Sequence, residues 1–492
     1  MERGLCAPQT KTPTCEGWRS VTTILGGPGR NRTTDTRIFN PLLYRLSYQA
    51  KEVNYSEAIL IVQDYRQICF NRSRYNIRMN SPSLSSSAAL HAMHVQSDVC
   101  IVGNGAIGKV TALGFAQAGF SVTLLSPSVS IPKDAAALTC GWDARVYALN
   151  HVAHGLLSSL KVWDALDASR VAPVDGMAVQ GDDERHPGLL GFDAYGARVG
   201  ALAWIVEDRN LNFALDSALR FAPKVRSVTG RASKLQVTSD GATVQLENGA
   251  TLTASLVVGA DGAQSWVRSQ CDIGIDYRSY GQRGVVSNFE CDKPHHGVAH
   301  QWFTAAEGIV ALLPLPGQRV SLVWSAPEAL AQTLMRETPT QLAARLSVFC
   351  EEKLGQLRPV QPEEIKAFPL NLIRPHALIA PRVALVGDAA HVVHPLAGHG
   401  MNLGFADVAE LLQTVAAREA HRDCGDARVL ARYARARKED VLLMQLATDG
   451  LARLFGSDFE PVRLLRNAGL NLLNQFPVLK RHLISHALGK IR

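Results

Sequence analysis

This chain of 492 residues lacks any uninterrupted apolar run of about 18 residues, the length that a transmembrane helix requires. Its nine cysteines form no Cys-x-x-Cys pair and have no regular spacing, which is typical of scattered buried thiols in a reducing cytoplasm. With 47% hydrophobic and 19% charged residues, the composition excludes global disorder. A chain of this length predicts a large core and two or three domains.

Outside its first 92 residues the chain also lacks an excess of positive charge. The formal net charge is +7, but residues 1–92 alone hold twelve Lys and Arg residues against six Asp and Glu residues. The rest of the chain is therefore nearly neutral. The overall basic charge gives no support to nucleic-acid binding.

The first 92 residues differ from the rest in pattern as well. They contain short apolar runs such as Ala58–Val62, no sustained helical or strand period, and a serine-rich stretch at Ser81–Ser87. No signal-peptide core lies near the N-terminus, and the segment is longer and richer in acids than a transit peptide. Residues Gly29–Tyr48 resemble the conceptual translation of a transfer-RNA gene. We therefore expect the biological start at Met79 or Met93, with a disordered targeting extension as the alternative.

A glycine-rich loop follows the first strand pattern. Asp98–Val102 is an apolar strand, Gly103-x-Gly105-x-x-Gly108 opens a helical pattern, and Ser121–Leu125 is a second strand. In such a loop one glycine makes the tight turn, one lets the backbone approach a pyrophosphate, and one lets helix and strand pack closely. The context predicts a dinucleotide site. The structural alternative is a tight glycine turn in an α/β domain without a ligand.

One expected residue is missing from this unit. The end of the second strand normally supplies Asp or Glu to the ribose hydroxyls of the dinucleotide. Here the position reads Leu125-Ser126-Pro127. Ser126 can form a hydrogen bond but carries no charge, which weakens the predicted ribose contact and leaves the pyrophosphate site untouched.

Two further segments pair an acid with a predicted helix start. Asp143–Leu149 is predicted to open a helix, where Arg145 can clamp a phosphate or a flavin edge; a solvated surface arginine is the alternative. Further on, a strand delivers Asp261-Gly262 into a helix that begins near Ser265. There Asp261 is either a ligand contact or a plain helix N-cap.

Residues 382–402 combine a strand, an acid, a turn and a helix. The apolar run Val383–Val386 ends at Gly387-Asp388, a glycine-rich turn spans Pro395–Gly400, and Asn402 opens a long helical pattern. Such a segment presents backbone N–H donors and one carboxylate to a polar ligand.

The order of these motifs discriminates between families of dinucleotide-binding proteins. The glycine loop, Asp-Gly and Gly-Asp follow one another at spacings of about 155 and 125 residues. In this respect the chain resembles the FAD-dependent aromatic hydroxylases with a para-hydroxybenzoate hydroxylase-like fold. The resemblance implies that Asp261-Gly262 touches FAD and the incoming nicotinamide cofactor, and that Asp388 holds the ribityl chain of FAD. It also implies that the backbone amides of Gly400-Met401-Asn402 face the flavin pyrimidine edge.

Seven further segments resemble the ubiquinone-biosynthesis branch of that family, and the match runs from about Val95 to the C-terminus. These segments are Glu207–Leu211, Ala311–Leu315, Leu322–Ser325, His391–Gly398, Tyr433–Arg437, Ala447–Phe455 and Leu465–Leu470. The departures from the family's pattern are Asn104, Ala106, Ser126 and His399. The cofactor-binding residues implied by the resemblance are Gly103, Gly105, Ala106, Gly108, Ser126, Arg145, Arg209, Asp261, Gly262, Gly387, Asp388, Gly398, Gly400, Met401 and Asn402.

The activity implied by the resemblance is that of a monooxygenase. NAD(P)H would reduce FAD, O2 would form a flavin C4a-hydroperoxide, and a hydroxyl group would pass to the aromatic ring of a polyprenylated phenol or benzoquinol. The sequence holds no second Gly-x-Gly-x-x-Gly, so NAD(P)H is expected to bind transiently. No catalytic base is predicted. Two alternatives stay open: a flavin-dependent reductase of prenyl groups, and an inactive flavin-binding scaffold of a quinone-biosynthesis complex.

The spacing of His391, His394 and His399 loosely resembles a metal site. No cysteine or acid cluster accompanies these residues, and they flank a Gly-Pro turn, so no metal is predicted. Packing beside the turn is the simpler role. We assign no role to His399.

The predicted architecture is α/β with an α+β substrate layer. A Rossmann-like FAD-binding domain, an interleaved antiparallel-sheet substrate domain and a C-terminal helical region are expected. Candidate strands are Val298–Thr304 and Ile309–Leu313, and four aromatic residues either line an apolar cavity or fill the core: Trp204, Trp302, Phe303 and Trp324. The predicted divisions are a leader at 1–92, an FAD-binding domain at 93–180, 205–275 and 365–425, a substrate domain at 181–204 and 276–364, and helices at 426–492.

Basic and apolar residues alternate in the helical pattern beyond Asp426. Because a polyprenylated substrate resides in the bilayer, peripheral contact of a cytoplasmic protein with the inner membrane is one hypothesis. A solvated helical cap is the alternative.

Overall fold

The computed structural model describes residues 94–127, 141–182, 187–361, 363–394, 399–455 and 460–475. All of them belong to the second of two units into which the chain divides, Ala89–Arg492. The predictions about the leader, 1–92, and about the start codon lie outside the described residues.

The strands are numbered in chain order. They are β1 (His94–Val102), β2 (Val122–Ser126), β3 (Val146–Leu149), β4 (Val171–Val174), β5 (Gly176–Gln180), β6 (Leu189–Asp193), β7 (Ala203–Glu207), β8 (Val225–Thr229), β9 (Ala232–Val237), β10 (Ala242–Leu246), β11 (Thr251–Gly259), β12 (Ile275–Cys291), β13 (Val298–Thr304), β14 (Gly308–Leu315), β15 (Arg319–Pro327), β16 (Leu357–Pro359), β17 (Lys366–Pro375), β18 (Ile379–Ala380) and β19 (Val383–Leu385).

The helices are numbered in the same way. They are α1 (Ala106–Gln117), α2 (His151–Ser159), α3 (Ala194–Ala197), α4 (Asp208–Arg220), α5 (Trp266–Gln270), α6 (Glu328–Leu334), α7 (Pro339–Leu354), α8 (His399–Ala416), α9 (Ala427–Phe455) and α10 (Glu460–Gln475). Short 3-10 turns lie at Trp163–Ala165, Ala168–Arg170 and Gly387–Ala389.

A parallel sheet with the order β19-β11-β1-β2-β8 forms the centre of the molecule. Its central strand β1 is buried on both faces, since Val99, Cys100 and Ile101 are all inaccessible to solvent. Such a strand has a continuous apolar run instead of an alternating one, as the sequence shows. Helices α1, α8 and α9 pack on one face, and the hairpin β9–β10 with α5 covers the other. The predicted Rossmann-like unit is confirmed.

The second sheet has the order β16-β12-β15-β14-β13-β5-β6, with β17 paired to β12. All its pairs are antiparallel except β13 with β5. One face buries Trp302, Trp324 and Phe289 against α6 and α7. The strands predicted at Val298–Thr304 and Ile309–Leu313 are confirmed, and the predicted fold class is confirmed with them.

One local prediction is wrong. Residues Asp143–Leu149 do not open a helix, because Val146–Leu149 is the strand β3, which pairs with β7. The helix begins only at His151, where the side chain of Asn150 caps it by accepting the Ala153 amide at 3.1 Å. Val146 and Tyr147 favour a strand by their branched and aromatic side chains, and pairing with β7 decides the outcome.

The division of the chain into domains stays a prediction. Strands β5 (Gly176–Gln180) and β17 (Lys366–Pro375) both pair within the antiparallel sheet, although the proposed boundaries assign them to the FAD-binding domain. We therefore propose moving the boundaries at 181 and 365 so that both strands fall in the substrate domain.

The C-terminal helices α9 and α10 confirm the helical pattern beyond Asp426 as far as it is described. Three asparagines of α10 accept hydrogen bonds from backbone amides at the edge of β6: Asn467 from Gly188 at 2.9 Å, Asn471 from Leu189 at 2.8 Å and Asn474 from Gly191 at 3.2 Å. We call these residues the asparagine row. They satisfy donors that an edge strand otherwise exposes.

A buried ion pair fixes the start of α10. Arg466 is 4% exposed, pairs with Asp182 beyond β5, and donates to the carbonyl oxygens of Leu454 and Phe455 at 3.0 and 3.1 Å. Phe455 and Leu470 pack against the outer face of the antiparallel sheet. The helix is therefore docked at both its polar and its apolar positions.

Candidate cofactor site

The loops that follow four parallel strands meet at one edge of the central sheet, which we call the carboxyl edge. Backbone hydrogen bonds connect these loops: Gly103 donates to Leu125, Ala260 to Val102, and Val386 to Gly259, each at 2.9 to 3.0 Å. The glycine loop, Ser126, Asp261-Gly262 and Gly387-Asp388 therefore all lie at this edge. Ligands of open α/β sheets bind at such an edge.

Each of the three glycines of the loop is explained by a different feature of its surroundings. Gly103 has φ of +115°, and a Cβ there would overlap the carbonyl of Ala260. A Cβ on Gly108 would overlap the carbonyl oxygen of Gly103. Gly105 differs, because it is the N-cap of α1 and a Cβ on it would meet nothing within 4 Å among the residues that the structure describes. Two glycines thus serve packing, and the third leaves space in front of a helix N-terminus.

Ser126 occupies the end of β2 and is 5% exposed. Its carbonyl oxygen accepts the Gly230 amide at 2.9 Å. The serine is thus at the position expected for a ribose contact, but its near-complete burial limits what the hydroxyl offers to a ligand.

Asp261 holds the start of α5. One carboxylate oxygen accepts the Ser265 hydroxyl at 2.6 Å, and the other accepts the Val267 amide at 3.0 Å. Ser265 is the N-cap residue itself, accepting the Arg268 amide at 3.0 Å. The N-cap alternative is therefore wrong in detail, although Asp261 does satisfy a donor of the first helical turn. Its neighbour Gly262 has φ of +82°, and a Cβ there would meet no atom of the described residues within 4 Å.

Asp388 is the acid of the carboxyl edge that stays open to solvent. Many protein atoms nevertheless surround it, and the resulting loss of hydration raises its pKa, while His391 and Arg145 oppose that shift. The Asp388 side chain thus remains accessible although many protein atoms lie around it. Gly387 beside it has φ of +61°, which a glycine adopts without strain.

Arg268 joins the Asp-Gly and Gly-Asp motifs. It is 6% exposed and donates to the carbonyl oxygens of Ala389 at 3.0 Å and Ala263 at 2.8 Å. The sequence motifs assigned Arg268 no role. Arg268 and Ala389 are 121 positions apart in the chain, so only the folded structure reveals their contact.

Arg145 and Arg209 come from neighbouring segments. The amides of both residues donate to Asp143, at 3.0 and 3.3 Å. The Arg145 side chain is exposed, lies 5.4 Å from the Tyr147 ring centre, and is close enough to Asp388 to lower the pKa of that acid. Arg145 therefore lies near Asp388, although it precedes a strand and does not belong to a helix.

The first turns of helix α8 pack beside the Gly387-Asp388 turn. The Asn402 side chain accepts the Asn150 amide at 2.9 Å and donates to the Ala148 carbonyl at 2.8 Å, which anchors the first turn to the segment after β3. Met401 packs against the apolar cluster of α1 and α4. A Cβ on Gly400 would meet no atom within 4 Å in the part of the chain that the structure describes. Gly398 and the His399 side chain lie outside the described residues.

The remaining two histidines have protein partners. His391 is bonded through Nε2 to Asp407 at 2.6 Å, and His394 through Nε2 to Gln282 at 2.9 Å. The edge of the Tyr280 ring meets His394 at 4.8 Å. Burial lowers the pKa of His394 to about 4. Among the described residues, no group of three or more His, Cys, Asp or Glu side chains is arranged to hold a metal ion.

The four aromatic residues considered for a cavity lie in three separate clusters. Trp302 and Trp324 fill the core under α7, Phe303 packs with Phe455, and Trp204 stacks on His154 at 4.4 Å. Their role is packing, which was the simpler of the two expectations.

The comparisons with known proteins agree with this geometry. The family described as FAD binding domain matches residues 96–444. Ubiquinone hydroxylase UbiL of Rhodospirillum rubrum is 36% identical over 398 residues, covering 80% of this chain and 90% of that protein. The 3-demethoxyubiquinol 3-hydroxylase of Escherichia coli is 36% identical over 397 residues, covering 80% and 98%. The mitochondrial ubiquinone biosynthesis monooxygenase COQ6 of Drosophila melanogaster is 30% identical over 437 residues, covering 80% and 90%.

Solved structures give the same fold. The p-nitrophenol 4-monooxygenase PnpA of Pseudomonas putida has a TM-score of 0.65 at 18% identity, covering 81% of this chain and 100% of that one. HpxO of Klebsiella pneumoniae, complexed with FAD and uric acid, has a TM-score of 0.62 at 17% identity, covering 81% and 98%. The chain belongs to the FAD-dependent monooxygenases, in the branch that contains the ubiquinone-biosynthesis hydroxylases.

The carboxyl edge fits FAD. A Cβ at Gly105, Gly262 or Gly400 would project into space that the described residues leave open. Gly105 and Gly400 lie at the starts of α1 and α8, where backbone amides lack intrahelical acceptors. A helix N-terminus without a side-chain cap suits a pyrophosphate. Asp388 supplies an accessible carboxylate for hydroxyl donors.

Proposed function

We propose that this protein hydroxylates the aromatic ring of a polyprenylated phenol or benzoquinol in ubiquinone biosynthesis, using NAD(P)H and O2. The observation that carries the proposal is the similarity to the 3-demethoxyubiquinol 3-hydroxylase, which extends over 98% of that protein. The motifs at the carboxyl edge support it, because they bring the residues of a flavin site together.

We assign the parts of FAD to this edge as follows. The pyrophosphate binds at Gly103, Gly105, Ala106 and Gly108, with the adenosine ribose near Ser126. The ribityl chain binds Asp388 beside Gly387, and the pyrimidine edge faces the amides of Gly400, Met401 and Asn402. Arg145 and Arg209 flank the cofactor, and Asp261-Gly262 lies where NAD(P)H enters.

The residues of the chain would act by position and electrostatics. When bound, FAD supplies the acceptance of a hydride from NAD(P)H and the activation of O2 for ring hydroxylation. The N-terminal amides of α8 stabilise negative charge on the bound ligand through their hydrogen bonds and the helix dipole. The contacts of Asn402 with Ala148 and Asn150 keep those amides in place. His394, Gln282 and Tyr280 join the antiparallel sheet to this region, so we propose that the substrate ring binds between them and the cofactor.

Isotope labelling tests the reaction. Purified protein with FAD, NADH or NADPH and a short-chain benzoquinol should incorporate one atom of 18O from 18O2 per NAD(P)H consumed. Saturation of the prenyl double bonds without label would instead indicate the reductase. If a deletion strain regains quinone synthesis with a Gly108→Ala variant that holds no FAD, the scaffold is indicated and the hydroxylase proposal fails.

We further propose that the protein contacts the membrane from which its lipophilic substrate comes. In the described residues of α9 and α10, eight leucines are at least 40% exposed; we call them the leucine surface. They are Leu442, Leu443, Leu446, Leu451, Leu454, Leu464, Leu465 and Leu472. Exposed apolar residues at this density are typical of an interaction surface. No described helix is both long and apolar enough to cross a bilayer.

Point substitutions test the membrane contact better than deletion of α10, which would also uncover the edge of β6. Leu443→Ser, Leu446→Ser and Leu465→Ser together should abolish flotation with liposomes of inner-membrane composition, without loss of stability. A matched control replaces two exposed apolar residues elsewhere, Phe221→Ser and Val348→Ser, which are 86% and 85% exposed. Equal flotation of both variants would reject the membrane contact. If the triple leucine variant instead lost a co-purifying protein, the leucine surface would be the binding site of a partner in a quinone-biosynthesis complex.

A further inference from the structure

A buried carboxylate lies directly behind the Gly387-Asp388 turn. Asp407 of α8 is fully buried, and one of its oxygens accepts both the Gly387 amide at 3.0 Å and Nε2 of His391 at 2.6 Å. The other oxygen accepts Nε of Arg437 from α9 at 2.8 Å. Three segments of the chain therefore meet on a single side chain that no sequence motif singled out.

The cluster is closed to solvent and is built from charged groups. His391 is 2% and Arg437 4% exposed, and Arg437 also donates to the Leu403 carbonyl at 3.4 Å and to Asp440 at 3.1 Å. Burial alone would raise the pKa of Asp407, but His391 and Arg437 hold it below its usual value. A buried ion of this kind persists only where its partners compensate for lost hydration.

Close packing leaves the turn little freedom. Gly387 packs against Ile107 of α1, and a Cβ on Gly404 would approach Ile107 to 2.8 Å and the Cα of Gly387 to 3.2 Å. Tyr433 of α9 donates its hydroxyl to the carbonyl of Leu385, the last residue of β19, at 2.7 Å. The turn that carries Asp388 is thus held from α1, α8 and α9 together.

The cluster also faces Asp388 electrostatically. Of the charged groups near that acid, His391 on the same turn and Arg145 before β3 both favour its ionised form, against the effect of burial. Tyr147, whose hydroxyl donates to Asp208 at 2.6 Å, is the other titratable group near it. His391 is bonded to Asp407 through Nε2, while its buried Nδ1 has no hydrogen-bond partner among the described residues. Among the described residues, Asp407 is therefore the only hydrogen-bond partner of the His391 ring.

We propose that His391 and Asp407 form a positioning pair that fixes the Gly387-Asp388 turn and preserves the negative charge of Asp388 toward the ribityl hydroxyls. Arg437 supports the pair, because its positive charge compensates the buried negative charge of Asp407. The proposal rests on the proposed assignment of Asp388 to FAD. It predicts that cofactor affinity depends on a helix, α9, that contributes no residue to the cofactor set.

The test measures FAD binding to the full-length apoprotein by flavin fluorescence quenching between pH 5 and pH 8. In His391→Gln the side chain still donates to Asp407 but cannot carry charge, so the pH at which affinity is half lost should rise by about one unit. The matched control is His300→Gln, a buried histidine of β13 that lies outside the cofactor site and faces Lys353 instead of an acid, and its midpoint should equal that of the wild type. A merely structural role of His391 would change affinity without moving the midpoint.

Two more variants keep the outcomes distinguishable. Asp407→Asn should raise the Kd for FAD at least about tenfold at pH 7, as loss of an outer-shell partner does at other ligand sites. If Asp407→Asn does not fold, the midpoint of His391→Gln decides alone. Asp388→Asn should bind weakly and without the acid-dependent loss; wild-type binding by this variant would overturn the assignment of Asp388 itself. Loss of pH dependence in Asp388→Asn combined with a wild-type midpoint in His391→Gln would overturn only the positioning pair.

Discussion

The carboxyl edge and the C-terminal helices keep their positions by different physical means. At the carboxyl edge, backbone lies on backbone: Gly103 touches Ala260 and Gly108 touches Gly103, with no room for a Cβ. In α9 and α10, single long side chains reach distant backbone, as Arg466 and the asparagine row do. Substitutions that add side-chain atoms should therefore destabilise the carboxyl edge most, and substitutions that remove side-chain atoms should destabilise the C-terminal helices most.

The largest effect should come from removing the buried arginine of α10. Arg466→Met leaves Asp182 near the protein interior without its counter-charge, so the free energy of unfolding should fall by about 3 to 5 kcal/mol in urea titrations. The control, Arg453→Met, removes a 69% exposed side chain paired with Asp449 and should change stability by less than about 0.5 kcal/mol. Equal effects of the two variants would contradict the view that single side chains hold these helices.

An added methyl group should act next most strongly, and only where backbone packs on backbone. Gly108→Ala should lower the stability of the apoprotein by about 2 to 3 kcal/mol, because the Gly103 carbonyl must move. Gly105→Ala should leave that stability within about 1 kcal/mol but weaken FAD binding at least about tenfold, since its Cβ points into open space. If Gly105→Ala binds FAD normally, the space at this helix start is not the cofactor's.

The smallest effect concerns acid, and it should be similar near the carboxyl edge and in the antiparallel sheet. Burial holds the pKa of His300, in β13 of that sheet, and of His394, near the carboxyl edge, at about 4. For His300 the charges of Lys353 and His295 act in the same direction. A histidine with a lowered pKa takes up its proton mainly in the unfolded state, so stability falls as pH drops from about 6.5 toward 4. His300→Gln and His394→Gln should each remove about 1 kcal/mol of the loss between pH 7 and pH 5.5, measured by urea unfolding. An unchanged pH dependence in either variant would contradict the burial of that ring.

What the sequence could predict follows from the same contrast. Glycines required by close backbone approach remain visible as a motif, so the loop at Gly103–Gly108 was recognisable from its glycine pattern, and the Gly387-Asp388 turn from the apolar run that ends there. The strand β3 was mistaken for a helix start because a four-residue strand has too short a period to recognise, and pairing with β7 decides it. Asp407 and Arg437 stand 30 residues apart with no shared pattern, so their contact follows only from the packing of α8 on α9.

The asparagine row has a consequence for how this chain tolerates insertion. From Asn467 to Asn474 the helix advances about 10.5 Å at 1.5 Å per residue, and from Gly188 to Gly191 the strand advances about 10 Å at 3.3 Å per residue. The spacing of the asparagines along the helix therefore matches the spacing of the amides along β6 over this short distance. As a result α10 supplies hydrogen-bond acceptors to the edge of β6, as a further strand of the sheet would. One residue inserted between Asn467 and Asn474 would turn the later amides by about 100° and leave the outer amides of β6 without acceptors.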